Sequence, residues 1–445
     1  MAMKSARFHR ILSLLPALLT LDSYRRVVLD VRTYAAAAPV VDATLKQPTT
    51  RAATAAWNAL GETQELGAGI TPGICVDRAG TIHVVYMGGG KIFYRRNDEA
   101  ARQSTRWSRG APAAVAERAA ARASHPHETS GFDPAEEVPV PEGPANYNSP
   151  HLVCDNQGTV HLTFERDFTR FSKKSWYTNR RDGKWKRPVL VLDHSATEKR
   201  VNYPRLAVHG DEVFIGGFVG GGSTIVRLLN VSEQPTVAGS VDTPLWVAHP
   251  LVDAQGQLWV VGRDGPRGHL LERYSGELRR LGERLLLSRG TPGKTGEPTA
   301  AIIDENGVVH VAGVTRSAPQ SPTEVLWYST SARAAAGKDV ILGPELGKDV
   351  GEDVYPVLAR DAYGRIHVSY RHVETGEARL SILDERAGQF APPVTVAPGV
   401  HKRSRWNPHL AAAPGGGVYI VWDNDGRIYF RPVGGFQGAV LGVGP

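Results

Sequence analysis

The sequence predicts an all-β fold: a seven-bladed β-propeller of four-stranded antiparallel blades, preceded by an N-terminal leader or linker. Two observations predict it. One hairpin phrase recurs seven times, and its copies are spaced at a near-constant interval. The phrase is clearest from Tyr355 to His372, YPVLARDAYGRIHVSYRH. An X-Pro step favours extended backbone before it. A short apolar strand follows, then a turn at Asp361 to Gly364, then a return strand rich in β-branched and aromatic residues. The other copies begin at Pro72, Pro150, Pro204, Pro250, Pro298 and Pro408, so successive prolines lie 78, 54, 46, 48, 58 and 52 residues apart. A period near 50 with several short strands per repeat is the pattern of a propeller.

Residues 1–50 read as an export leader and linker, and residues 57–445 as the propeller. Lys4, Arg7 and Arg10 precede an apolar segment from Ile11 to Leu21, and a small-residue run follows at Ala35 to Ala38. That pattern predicts a secreted or periplasmic protein. No run reaches the roughly 18 apolar residues of a membrane span. The formal net charge is +7, and residues 1–50 supply four of those charges with seven Lys/Arg against three Asp/Glu. With so little charge on the propeller and no aromatic–basic module, nucleic acid is not an expected partner.

The last copy, after Pro408, offers three strands. A strand between Trp57 and Leu66 is expected to supply the fourth and close the ring, which removes exposed sheet edges. The first blade carries an insertion, 111–146, long enough to act as a lid or to be disordered. His125, His127 and Glu128 lie in it, but their spacing matches no zinc pattern, so a solvated loop is expected. Cys75 stands two residues before its local Asp77, and Cys154 one before Asp155. Alternation along a strand turns them opposite ways, so the expectation is two buried, unpaired thiols.

Residues that recur at the same place in many blades are expected to be structural. His83, His161, His310 and His367 share one place in the second strand, filled elsewhere by Phe214, Trp259 and Tyr419. The turn acids Asp77, Asp155, Asp253, Asp304 and Asp361 repeat likewise. The residues beside the prolines differ instead. Tyr203, His249, Glu297, Tyr355 and Asn407 directly precede them, with Asn148 and Asn202 one place earlier. The ends of the second strands add Arg166, Arg263, Arg316, Arg371, His372 and Asp423. These are expected to ring the channel mouth. Arginine forks match carboxylate, sulfate or phosphate, so the expected ligand is anionic.

The repeated P-x-h…D-x-x-G-x-h-H-h phrase resembles the BNR-type, sialidase-like propellers over about residues 67–433. It looks most like the seven-bladed branch containing the ulvan lyases. Its turn departs from the S-x-D-x-G-x-T-W box of true sialidases, so the likeness is one of architecture. In such lyases a tyrosine opening one strand and an arginine ending the next serve the site, and Tyr355 and Arg371 stand at corresponding places. Those enzymes also use two histidines in an earlier blade. Here blade two offers Asn148 and Glu165 or Arg166, and His249 is the nearest substitute. The resemblance implies β-elimination on an acidic, uronate-containing polysaccharide, with no metal or cofactor. In that reading Tyr355, His249, Arg371, Tyr203 and Glu297 form the catalytic set. Arg166, Arg263, Arg316, His372, Asn148, Asn202 and Asn407 bind the glycan. Two alternatives stand beside it: a glycoside hydrolase built on Glu297 with Asp423 or Glu165, and a propeller that only binds glycan or protein.

Overall fold

The computed structural model describes residues 60–98, 131–141, 146–167, 172–195, 201–288, 299–317, 321–348, 354–384, 388–400 and 408–433. The leader, His125, His127, Glu128, Glu297 and Asn407 lie outside the described residues. Seven antiparallel sheets follow one another along the chain. Their first strands are Ile70–Val76, Asn146–Cys154, Val201–His209, Trp246–Val252, Ala300–Ile303, Val357–Arg360 and His409–Ala412. These strands, called A in blades one to seven, touch their neighbours in a closed ring. Strands B, C and D follow outward. No described helix is long and apolar enough to cross a membrane.

The ring closes with chain from both ends. Strand Gln64–Ala68 pairs antiparallel with Arg427–Pro432 and forms the outermost strand of blade seven. Blade one draws its fourth strand, Glu136–Glu137, from within the long insertion, where it pairs with Phe93 and Tyr94. The described end of that insertion is therefore a blade edge.

The repeated phrase folds into a repeated clasp. In the turn after strand A, the Asp carboxylate accepts the backbone N–H four residues on, as in Asp77 to Thr81 and Asp361 to Arg365, both near 3 Å. The glycine completing each turn sits at positive φ, from Gly80 (87°) to Gly364 (77°), which a side chain would strain. The second carboxylate oxygen meets the strand B imidazole: 3.2 Å in Asp77–His83 and Asp155–His161, 2.9 Å in Asp361–His367. The other imidazole nitrogen meets a strand C phenol in three blades, Tyr94, Tyr177 and Tyr328. In blade four, Trp259 Nε1 donates to Asp253 at 3.1 Å. A buried polar group without a partner costs a few kcal/mol, so each clasp gives its buried carboxylate a partner and ties the A–B turn to strand B, and in three blades to strand C as well. These histidines are structural, as their repetition implies.

The cysteines correct the sequence expectation. Cys75 and Cys154 form a disulfide between blades one and two, with Cα atoms 5.9 Å apart. Two neighbouring blades meet through opposite faces of equivalent sheets. A one-residue offset between strand A positions is therefore what brings two side chains together, and alternation argues for the bond.

Asp361 is the most tightly held turn acid. Burial alone would raise its pKa, but His367 and Arg365 bring it down to about 2. Burial also lowers the pKa of His367, so at neutral pH Arg365 supplies the charge and His367 a neutral donor. A depressed carboxylate stabilises the fold above its unfolded pKa and loses that contribution as pH falls through the folded value. The contribution of Asp361 is thus complete above about pH 4 and lost towards pH 2, and it amounts to about 2 kcal/mol. Denaturant melts of Asp361→Asn should show a loss of that order at pH 7, shrinking towards zero below pH 3.

Candidate active site

The site is built where the strands A begin. Counting from the clasp gives the register. Cys75 pairs with His83 and Gly73 with Val85. The same count places His151 opposite Thr163, Arg205 opposite Gly216, His249 opposite Val261 and His409 opposite Val421. Ala300 and Val357 hold this place in blades five and six. One layer around the axis therefore reads Gly73, His151, Arg205, His249, Ala300, Val357, His409. It contains four basic side chains and no carboxylate.

A β-bulge opens each strand A in blades one to four, between Ile70 and Gly73, Asn148 and His151, Asn202 and Arg205, and Trp246 and His249. Each bulge holds a non-glycine residue in the left-handed region: Thr71 (48°), Ser149 (49°), Tyr203 (58°) and Val247 (48°). Such backbone costs on the order of 1–3 kcal/mol per residue, and bulges re-aim the side chains beside them. Three of the four bulges directly precede a basic member of the layer. In blade two, the Asn148 side chain accepts the Ser149 N–H at 2.9 Å, and the Ser149 hydroxyl donates to Glu165 at 2.6 Å.

The layer is compact. The His151 and His249 rings, from the blades flanking Arg205, lie perpendicular with centroids 6.0 Å apart. The Leu206 N–H donates to His151 Nδ1 at 3.3 Å, which places the neutral ring's proton on Nε2. His249 Nδ1 has no hydrogen-bond partner among the described residues. Tyr203 and Tyr355 occupy equivalent places two residues before the layer, in blades three and six. Those blades are not neighbours, yet the two rings approach to 6.2 Å, so they meet across the axis.

Burial and charge shape this cluster together. Burial lowers the Arg205 pKa and the Tyr355 phenol pulls it back up, leaving it at about 9, still charged at neutral pH. His249 and His409 are pushed down to about 3, by burial first and the Arg205 charge second. His151 falls well below its usual range for the same two reasons, with His249 and His409 adding to them. His151 and His249 keep some accessible surface.

One step towards the mouth, the ends of strand B carry Met87, Glu165, Phe218, Arg263, Val314, Arg371 and Asp423 at equivalent positions. Arg263, Arg371, Glu165 and Asp423 are all buried there. Arg166 falls one residue beyond this register, so it takes the other face of its sheet, and Arg316 lies two residues beyond it, half-exposed. Arg263 also holds the following turn, donating from Nε to the Gly265 carbonyl at 3.1 Å. His372 Nδ1 is engaged by Thr375, whose hydroxyl lies at 3.1 Å. Asn202 pairs with Phe218 at the edge of its bulge.

Of the residues expected to form the site, Tyr203, Tyr355 and His249 converge on the axis, whereas His372 is bound into a turn. His151, Arg205 and His409 were missed. They directly follow prolines in the repeated phrase, in the pairs Pro150-His, Pro204-Arg and Pro408-His. In blade four the proline falls two places later relative to the hairpin. Phasing on the proline placed His249 at the mouth, whereas phasing on the clasp unites all four basic residues. Among the described residues no group of three His, Cys, Asp or Glu side chains is placed to hold a metal ion.

No family model and no curated protein is similar to the chain. Solved structures are. An ulvan polysaccharide lyase, solved with a GlcA–Rha3S ligand, is 13% identical with a TM-score of 0.47, covering 83% of this chain and 94% of its own. The hydrazine synthase of Kuenenia stuttgartiensis is 12% identical with a TM-score of 0.52, covering 82% and 96%. The Hadza microbial sialidase is 10% identical with a TM-score of 0.41, covering 65% of each chain. Identities this low speak to fold alone.

In the free protein the His249 and His409 imidazoles should stay neutral across the neutral range. Their ring resonances in a histidine NMR titration should not move between pH 8 and pH 5. Assignment comes from His249→Asn and His409→Asn, and a midpoint near 6.5 for either would contradict the geometry.

Proposed function

We propose that this chain is an exported, carbohydrate-active propeller that cleaves an acidic, uronate-containing polysaccharide by β-elimination. The observation that carries the reading is the convergence at one point of a buried guanidinium, imidazoles held neutral and two phenols from opposite blades. Eliminative cleavage needs those three kinds of group. A guanidinium binds the uronate carboxylate and draws charge from the adjacent carbon, which acidifies its C–H bond. Arg205 suits that task, with Arg371 and Arg263 at the rim. A base takes the proton: Tyr355 as its phenolate, or His249 through its uncharged ring. The C–H electron pair becomes the new double bond, the glycosidic C–O bond breaks, and Tyr203 or Tyr355 protonates the leaving oxygen. Each acid–base group contributes roughly 10²–10⁴-fold.

Export is supported by the Cys75–Cys154 disulfide, since such bonds persist in oxidising compartments, and by the basic-then-apolar start of the sequence. The buried carboxylates Glu165 and Asp423, equivalent in blades two and seven, support hydrolysis as a second reading.

The purified protein should be incubated with a panel of acidic polysaccharides while ultraviolet absorbance and reducing ends are followed together. Both should rise, and Tyr355→Phe should lower the rate by roughly 10²–10⁴-fold without changing the melting temperature. Reducing ends without absorbance would establish hydrolysis instead, and silence across the panel would leave a binding protein.

A further inference from the structure

The Arg205 layer has a property that elimination chemistry does not require. Three imidazoles from blades two, four and seven share one level with one guanidinium from blade three. The remaining places at that level are Gly73, Ala300 and Val357, which carry no charge. The titratable groups facing the layer are the Tyr203 and Tyr355 phenols above it. Glu165, Arg263, Arg371 and Asp423 lie one step further towards the mouth, and Glu165 is hydrogen-bonded to Ser149 at 2.6 Å. His151 and His249 keep some accessible surface, and their rings lie 6.0 Å apart.

We propose that this layer is an oxyanion pocket that takes up a proton as it binds: a carboxylate or sulfate group enters beside Arg205, and one of His151, His249 and His409 becomes imidazolium. Burial first and the Arg205 charge second keep the free imidazoles neutral, and the arriving anion offsets the Arg205 charge. A second positive charge beside it is then favoured, because opposite charges within about 4–6 Å favour ionisation. His249 Nδ1 is a buried nitrogen without a hydrogen-bond partner among the described residues, and it is a ready place for the proton, in which case Tyr355 is the base of the elimination. The proton comes from solvent and returns on release, so no bond within the ligand changes. Recognition would then sharpen in acidic surroundings. Linkage sets the sign: the bound state holds more protons than the free state, so affinity rises as pH falls.

The inference deepens the acidic-glycan reading and uses it to choose glucuronate as one probe, but its test requires no turnover. Glucuronate, inorganic sulfate and neutral glucose are titrated into the protein by calorimetry, in buffers of different ionisation enthalpy, from pH 8 to pH 5.5. Uptake of about one proton per anion, with affinity rising up to about tenfold per unit fall in pH, is expected for glucuronate. The same behaviour for sulfate would show that the pocket reads the oxyanion alone. Glucuronate binding without sulfate binding would show that it reads the anion as part of a sugar. Either pattern supports the pocket. Arg205→Met should abolish anion binding, and the His249→Asn, His409→Asn double variant should reduce the proton count. If these variants fold poorly, the wild-type buffer series decides alone. Anion binding without proton uptake, equal binding of glucose, or no binding of either anion would overturn the proposal. Proton-coupled binding without cleavage would remove the elimination reading and leave the pocket standing.

Discussion

Closing seven sheets into a ring makes every blade present the same face to the next one. Equivalent positions then stack into layers around the axis, and neighbouring blades meet through opposite faces. The disulfide and the basic layer at the axis both follow from this constraint. Cys75 and Cys154 meet because their one-residue offset compensates for the change of face between blades one and two. His151, Arg205, His249 and His409 share a level because each lies two residues before the partner of the clasp residue in strand B. The clasps hold that register. Each binds turn, strand B and, in three blades, strand C through one carboxylate, one imidazole and one phenol, so the inner strands have little freedom to slip.

On this regular frame the site is an irregularity confined to part of the ring. Strained bulges open strands A in blades one to four, and blades two to four turn a basic side chain inwards directly after the bulge. The cost of several strained residues is met by packing and hydrogen bonds elsewhere, as in the Asn148–Ser149–Glu165 chain. Strain on this scale is tolerated where a fold must place a group accurately. The result is a positive centre. Arg205 stays charged despite its burial, and its field, added to desolvation, keeps three histidines neutral. A channel of this kind suits a ligand that brings negative charge with it.

The blades were legible in the sequence because the turn chemistry repeats. Asp with glycine three residues later fixes the hairpin, and the strand B histidine fixes which face is which. The closing strand was legible from the missing fourth strand after Pro408. The site was only half legible. Tyr203, Tyr355 and His249 stood out because they differ from blade to blade. His151, Arg205 and His409 were equally variable, but prolines do not hold a constant register: Pro250 falls two places later than Pro150 or Pro204 relative to its clasp. Likewise Glu165, not Arg166, shares the level of Arg263 and Arg371, a distinction of one residue that reverses the side chain. The cysteine pairing was obscured by treating two blades as one sheet. In each case the missing quantity was a strand phase, which a clasp-based alignment of the seven copies supplies.

The central claim is that negative charge is received at the axis, beside Arg205. Its most direct test is a crystal structure of the protein soaked with an acidic disaccharide. The expected result is a carboxylate or sulfate oxygen within hydrogen-bond reach of the Arg205 guanidinium, with Tyr355 and His249 against the same sugar ring. A disaccharide bound on the outer blades or the opposite face, with none at the Arg205 layer, would contradict it.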